Sequence, residues 1–124
     1  MALTEIIVQF NECINARDIN GLASLMSEDH AFIDSENSIV RGKAASLDAW
    51  RGFFAQFPDY RNHFKRFISG MGQVTVVGHS TCSEPALDGP ALWKATVKDG
   101  KVTEWRVYED TPENRATLGI ADEG

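Results

Sequence analysis

Pro58 divides this chain into two halves with different hydrophobic periods, and that change restricts the fold more than any other feature. Before it, Leu47, Trp50, Phe54 and Phe57 fall at i, i+3, i+7 and i+10, one apolar stripe along a helix. Phe53 widens the stripe, and Pro58 stops the helix. From Tyr60 onward the apolar residues recur in steps of two, the period of strands. A chain that places its helices first and long hairpins afterwards belongs to the α+β class, with helices packed on a mostly antiparallel sheet. At 124 residues it makes one domain, 1–124.

The remaining elements follow from caps and turns. Ile6, Ile7, Phe10, Cys13 and Ile14 predict a helix over Thr4 to Arg17 with Thr4 as N-cap. Asp18 caps a second, short helix whose apolar residues are Ile19, Leu22, Ala23, Leu25 and Met26. A strand over His30 to Asp34 turns through Ser35 to Ser38 into another around Ile39 to Arg41, and Gly42 opens the helix over Lys43 to Phe57. Strands are expected over Tyr60–Ser69, Gln73–Cys82, Ala91–Lys98 and Lys101–Asp110, with Asp99-Gly100 a strong hairpin signal. Thr111-Pro112 starts a short terminal helix, with Gly119 past its end.

Composition removes whole classes. A 43% hydrophobic share is that of a globular chain rather than a disordered one. Twelve Lys+Arg against 18 Asp+Glu leave a net charge of −6, which argues against a nucleic-acid partner. Apolar runs as short as Ile6-Ile7-Val8 provide no membrane span. The start lacks a basic segment of the secretory type, so the expected location is the cytoplasm, with Cys13 and Cys82 reduced and buried rather than bridged.

Register assigns the faces. Centring the first hairpin on Met71 pairs Tyr60 with Cys82, Phe64 with Gly78 and Ile68 with Val74, giving an apolar face that also holds Val76. Arg61, His63, Lys65, Val77, His79 and Thr81 then share the other face, which makes His63 and His79 direct neighbours. In the second hairpin, a left-handed bulge at Gly100 pairs Val97 with Lys101 and sets Trp93 opposite Trp105, with Val107 and Glu109 on their face. Lys94, Thr96, Lys98, Glu104, Arg106 and Tyr108 lie outside, on a face either solvated or used for dimerisation.

Three segments carry a family resemblance: FNECINARDINGLASLM, HAFIDSENSIVRG and KDGKVTEWRVYED. From Ile6 to about Ile120 the chain resembles the nuclear transport factor 2-like superfamily, in its SnoaL-like polyketide cyclase and ketosteroid isomerase branch. The resemblance implies a cone-shaped, curved sheet wrapped by the three helices of the N-terminal half, a cystatin-like α+β roll with an apolar pocket and frequent dimers. It places Asp34 where ketosteroid isomerases carry their general base. Phe10 and Trp93 fall where those enzymes carry the two oxyanion donors, so both donors are missing here. It also places Glu109 and Asp110 where SnoaL-like cyclases carry an acidic acid/base residue, and the facing argument selects Glu109.

The candidate chemistry is cofactor-free proton transfer on a small apolar carbonyl compound, of isomerase, cyclase or dehydratase type. Asp34 would be the base, its pKa raised inside an apolar cone, or else an Asp that starts the Ser35–Asn37 turn. Glu109 would be a second acid/base, or a rim residue facing water. His63 and His79 are a third pair, for proton shuttling, a dimer contact or an anion site, and two histidines alone are a weak metal signal. His30 shares a side with Asp34 and either orients it or decorates the rim. Phe10, Ile14, Trp50, Phe54, Tyr60, Phe64, Cys82, Trp93 and Trp105 would line the pocket, and an indole N–H of Trp93 or Trp105 would replace a missing donor. The expected partners are a small apolar ligand and a second copy against the outer sheet face, with neither metal nor cofactor. The competing reading is a binding or dimerisation module with no chemistry.

Overall fold

The computed structural model describes residues 2–120. Helices α1 (Leu3–Ala16) and α2 (Ile19–Leu25) lead into β1 (Met26–Ile33), β2 (Ile39–Arg41) and α3 (Lys43–Gln56). Strands β3 (Arg61–Gly70), β4 (Gln73–Thr81), β5 (Gly89–Lys98) and β6 (Lys101–Glu109) follow, with a short 3-10 turn at Pro85–Leu87 before β5 and helix α4 (Pro112–Thr117) at the end. Six strands form one open mixed sheet in the order β2-β1-β6-β5-β4-β3. Every pair is antiparallel except β1 with β6. That exception joins the N-terminal half to the C-terminal hairpins.

The ends of the elements follow local chemistry. Asp18 caps α2 by accepting from Gly21 N at 2.9 Å, and Thr111 caps α4 by accepting from Asn114 N. Thr4 does not cap α1: the N-cap is Ala2, with no side-chain bond. Strand β1 begins four residues earlier than its alternation suggests. Met26 already pairs with Val102, and a register shift before Ala31 takes up the polar Ser27-Glu28-Asp29 run.

Bulges decide which side chains face the helices. In the first hairpin the expected register holds from Arg61–Thr81 to Phe64–Gly78, and then Lys65 is left over. The shift pairs Phe67 with Val76 and Ile68 with Thr75, so Phe67 turns inward and Ile68 outward, the reverse of expectation. In the second hairpin the turn is a plain two-residue one. Asp99 (φ 53°) and Gly100 (φ 76°) both take positive φ, and Lys98 pairs with Lys101. The bulge sits at Thr103 instead, after which Ala95 pairs with Trp105 and Trp93 with Val107. Both tryptophans therefore share the inner face as expected, through a different irregularity.

The core lies between that inner face and helices α1 and α3. Phe10 stacks on Trp105 at 4.5 Å between ring centroids, Phe64 approaches Trp93 at 4.8 Å, and Trp50 packs between Phe32 and Phe54. Ile6, Ile7, Ile14, Leu22, Val74, Val76 and Val102 close the rest. Each such fully buried side chain stabilises the fold by about 1.5–3 kcal/mol. Strand β3 is a sheet edge, and α1 protects it: Asn15 bonds both the N–H (2.9 Å) and the carbonyl (3.0 Å) of Asn62. Among the described residues no helix is long and apolar enough to cross a membrane.

Candidate functional site

Strand β1 alternates His30, Phe32 and Asp34 on its inner side, and β6 ends with Val107 and Glu109 on the same side. Asp34 and Glu109 consequently line one cavity of about 530 Å³ at the open end of the roll. Its apolar walls are Phe32, Val40, Ala49, Phe53 and Leu87. This volume lies within the roughly 300–1,000 Å³ of small-molecule sites, so a ligand of two or three rings fits.

Glu36, exposed on the turn after β1, is a third carboxylate of the lining, and Asp34 and Glu109 are held differently. Asp34 Oδ1 accepts from Glu36 N (2.9 Å) and Ser38 N (3.0 Å), which closes the turn between β1 and β2. The Asp34 side chain is half-buried at the rim rather than deep in an apolar cone. Glu109 is exposed, and its backbone carbonyl is fixed by Thr111 N and the Asn114 amide. The neighbouring Asp110 is engaged elsewhere. Arg115 donates to both of its oxygens (2.6 and 2.8 Å), and this bonding holds its carboxyl below the usual range. Of the two acidic residues at the end of β6, Glu109 is the one that meets the cavity.

The aromatic lining differs from expectation. Phe10, Ile14, Trp93 and Trp105 are fully buried in the packed core, Trp50 and Phe54 nearly so, and none of them is a wall of the Asp34–Glu109 cavity. Phe64 and Cys82 are partly buried against the same core, and neither lines this cavity. Tyr60 lines an adjoining, smaller cavity. The cause is depth: helical and strand periods show that a residue faces inward without showing how far along the cone it sits. Phe32 shares the step-of-two alternation of His30 and Asp34, so a signal for it was present. Leu87, in an aperiodic Pro85-containing turn, carried none.

The indole N–H groups of Trp50, Trp93 and Trp105 are buried with no hydrogen-bond partner among the described residues. Trp93 and Trp105 are not among the cavity's lining residues, whereas Trp50 packs on two cavity walls, Phe32 and Phe53. His30 does not orient Asp34. Its ring is fully buried, stacks on Phe10, and donates from Nδ1 to the Val102 carbonyl at 2.7 Å. Burial lowers its pKa, against the opposing pull of that carbonyl.

His63 and His79 do meet, with rings stacked at 4.7 Å and 17°. They stand on the outer sheet face, where His63 Nε2 bonds Thr81 Oγ1, so the sheet separates them from the cavity. The Cys82 thiol donates to Asp59 Oδ1 at 3.4 Å. Desolvation first, then the Asp59 and Glu84 carboxylates, push it above the ordinary thiol range, which suppresses the thiolate a nucleophile needs.

Residues 7–105 match the SnoaL-like domain, and the chain belongs to that family. Solved structures show the same fold at low identity. IdmH of Streptomyces antibioticus, a candidate polyketide cyclase, is 17% identical over 97% of this chain and 100% of its own, with a TM-score of 0.73. An LEH-like epoxide hydrolase of M. tuberculosis shares 16% over 87% of this chain and 82% of its own, with a TM-score of 0.76. TerC, co-crystallised with polyporic acid, shares 20% over 95% and 96%, with a TM-score of 0.75. Comparison with curated proteins finds no match.

Proposed function

We propose that this protein binds a small apolar carbonyl compound at the open end of the roll and moves a proton on it without a cofactor. One observation carries the reading: Asp34 and Glu109 line a single cavity, with Glu36 and two serines at the turn and otherwise apolar walls. Carboxylates next to apolar walls are the arrangement in which one group removes a proton alpha to a carbonyl while a second returns it. Asp34 Oδ1 is fixed by its turn, and this orients the carboxylate as a base. The known company of the fold supports the reading, with a candidate cyclase, an epoxide hydrolase and a protein co-crystallised with an organic acid among similar structures. Isomerisation, cyclisation and dehydration all use this step.

The test is hydrogen–deuterium exchange at the methyl group of 2-acetonaphthone, followed by proton NMR in D2O, alongside binding measured by tryptophan fluorescence. Wild type should accelerate exchange, and Asp34→Asn should lose roughly 10²–10⁴-fold of that acceleration while binding is kept. The same turn bonds also suit a second reading, in which Asp34 is purely structural and the protein is a binding module. Unchanged binding in Asp34→Asn, with wild type no faster than buffer, would decide for that module.

A further inference from the structure

The Asp34–Glu109 cavity adjoins a second, smaller one of about 120 Å³, and the two share Ser35, Ala86, Leu87 and Glu109 as walls. The 3-10 turn at Pro85–Leu87 thus stands as a partition between them. At the buried side of the smaller compartment are Tyr60 and Ser80, exposed by only 7% and 5%. We infer that this compartment is a subsite for a hydrogen-bond-donating end of the ligand, a short hydroxyalkyl arm, with Leu87 setting the length that fits. The inference rests on the proposed binding of a carbonyl compound in the larger cavity.

The direction of the hydrogen bonds carries it. Ser80 Oγ donates its one proton to Asn62 Oδ1 at 2.8 Å, because that amide oxygen only accepts. Ser80 must therefore accept from Tyr60, whose hydroxyl lies 3.2 Å away. The proton of Tyr60 is committed, and its oxygen acts as an acceptor, with one lone pair facing the Asn62 amide and the other left for a ligand. Glu109 and Asp88, the carboxylates of the same compartment, also only accept when ionised, and Asp88 Oδ1 already takes Cys82 N. The hydroxyls of Ser35 and Tyr108 act either way and do not reverse the balance. A carbonyl or ether end would find donors only in the outer hydroxyls of Ser35 and Tyr108 and none at Tyr60, whereas an O–H would be matched at the buried end as well.

Volume sets the size of that end. An enclosed cavity of about 150 Å³ takes a benzene ring, so a compartment of about 120 Å³, open on one side, suits a chain of a few heavy atoms better than a ring. The ligand class is then an aryl ketone whose ring body lies against Phe32, Val40 and Phe53 and whose hydroxylated arm passes Leu87.

Probes on one scaffold test this by tryptophan fluorescence, beginning with 2-acetonaphthone carrying at position 6 a 2-hydroxyethyl, a 2-methoxyethyl or an ethyl group. In wild type the hydroxyethyl ketone should bind about tenfold more tightly than the other two. Tyr60→Phe should bring it down to the level of the ethyl ketone, with the ethyl ketone unchanged. Ser80→Ala frees the Tyr60 proton, so the methoxyethyl ketone should gain affinity over wild type, a reversal that mere loosening of the structure would not produce. Leu87→Ala should admit a 3-hydroxypropyl arm that wild type binds at least about tenfold more weakly than the hydroxyethyl one. If the ethyl and hydroxyethyl ketones bind wild type equally, the subsite is overturned while the larger cavity keeps its role. If none of the probes binds, both readings fall.

Discussion

His30 shows most directly how burial sets the chemistry of one residue. The Val102 carbonyl can only accept, so the His30 proton resides on Nδ1 and Nε2 presents a bare lone pair. Nε2 is buried without a partner among the described residues, so a second proton there would put an unpaired cation in the core. The folded pKa lies below its ordinary value, chiefly by desolvation, and the unfolded chain therefore takes up the proton first as pH falls. The stability this ring contributes is complete above about pH 6.5 and is lost as pH drops from there toward the folded pKa. Chemical denaturation between pH 7 and 5 should show stability falling by up to about 1.4 kcal/mol per pH unit. His30→Phe, which keeps a ring against Phe10, should flatten that slope; an equal slope in the variant would remove His30 from the explanation.

At the scale of elements, two bulges matter more than any single contact. The leftover Lys65 in β3 brings the backbone close to β4, and a Cβ on Gly78 would stand 2.1 Å from the His63 carbonyl oxygen. That neighbour is main chain and cannot swing aside. Gly78→Ala should cost about 2–3 kcal/mol, roughly a 10 °C fall in Tm by calorimetry. A loss below about 0.5 kcal/mol would show that the bulge is free to move. The second bulge, at Thr103, compensates for the two-residue Asp99-Gly100 turn, which would otherwise put Trp93 and Trp105 on opposite faces. Alternation alone does not reveal a bulge, because the extra residue reads as one more step in the strand. This is why the expected placement of Ile68 failed, and why that of the tryptophans succeeded on another geometry.

For the whole molecule, the helices close one side of the sheet and leave the other to be covered. On that outer face stand the stacked His63–His79 pair, half-buried Ile68 and Val77, and Arg106 over the Tyr108 ring at 4.9 Å. We propose this face as the seat of a second copy of the chain. Sedimentation velocity should give twice the 13.7 kDa mass, and Val77→Glu should return the species to a monomer; a monomeric wild type at tens of micromolar would sink the proposal. The Pro58 change of period, the caps at Asp18 and Thr111, the hairpin at Asp99-Gly100 and the inward alternation of Asp34 and Glu109 were all legible in the sequence. Each is a local preference of a few neighbouring residues, which the order of the letters records. The packing of Trp93 and Trp105 into the core rather than the cavity lining, the placing of Asp34 and Glu109 on one cavity, and the arrival of Leu87 between two cavities were decided only in three dimensions. Those facts depend on depth along the cone and on where extra residues bulge, and both are set by the packing of segments distant in the chain.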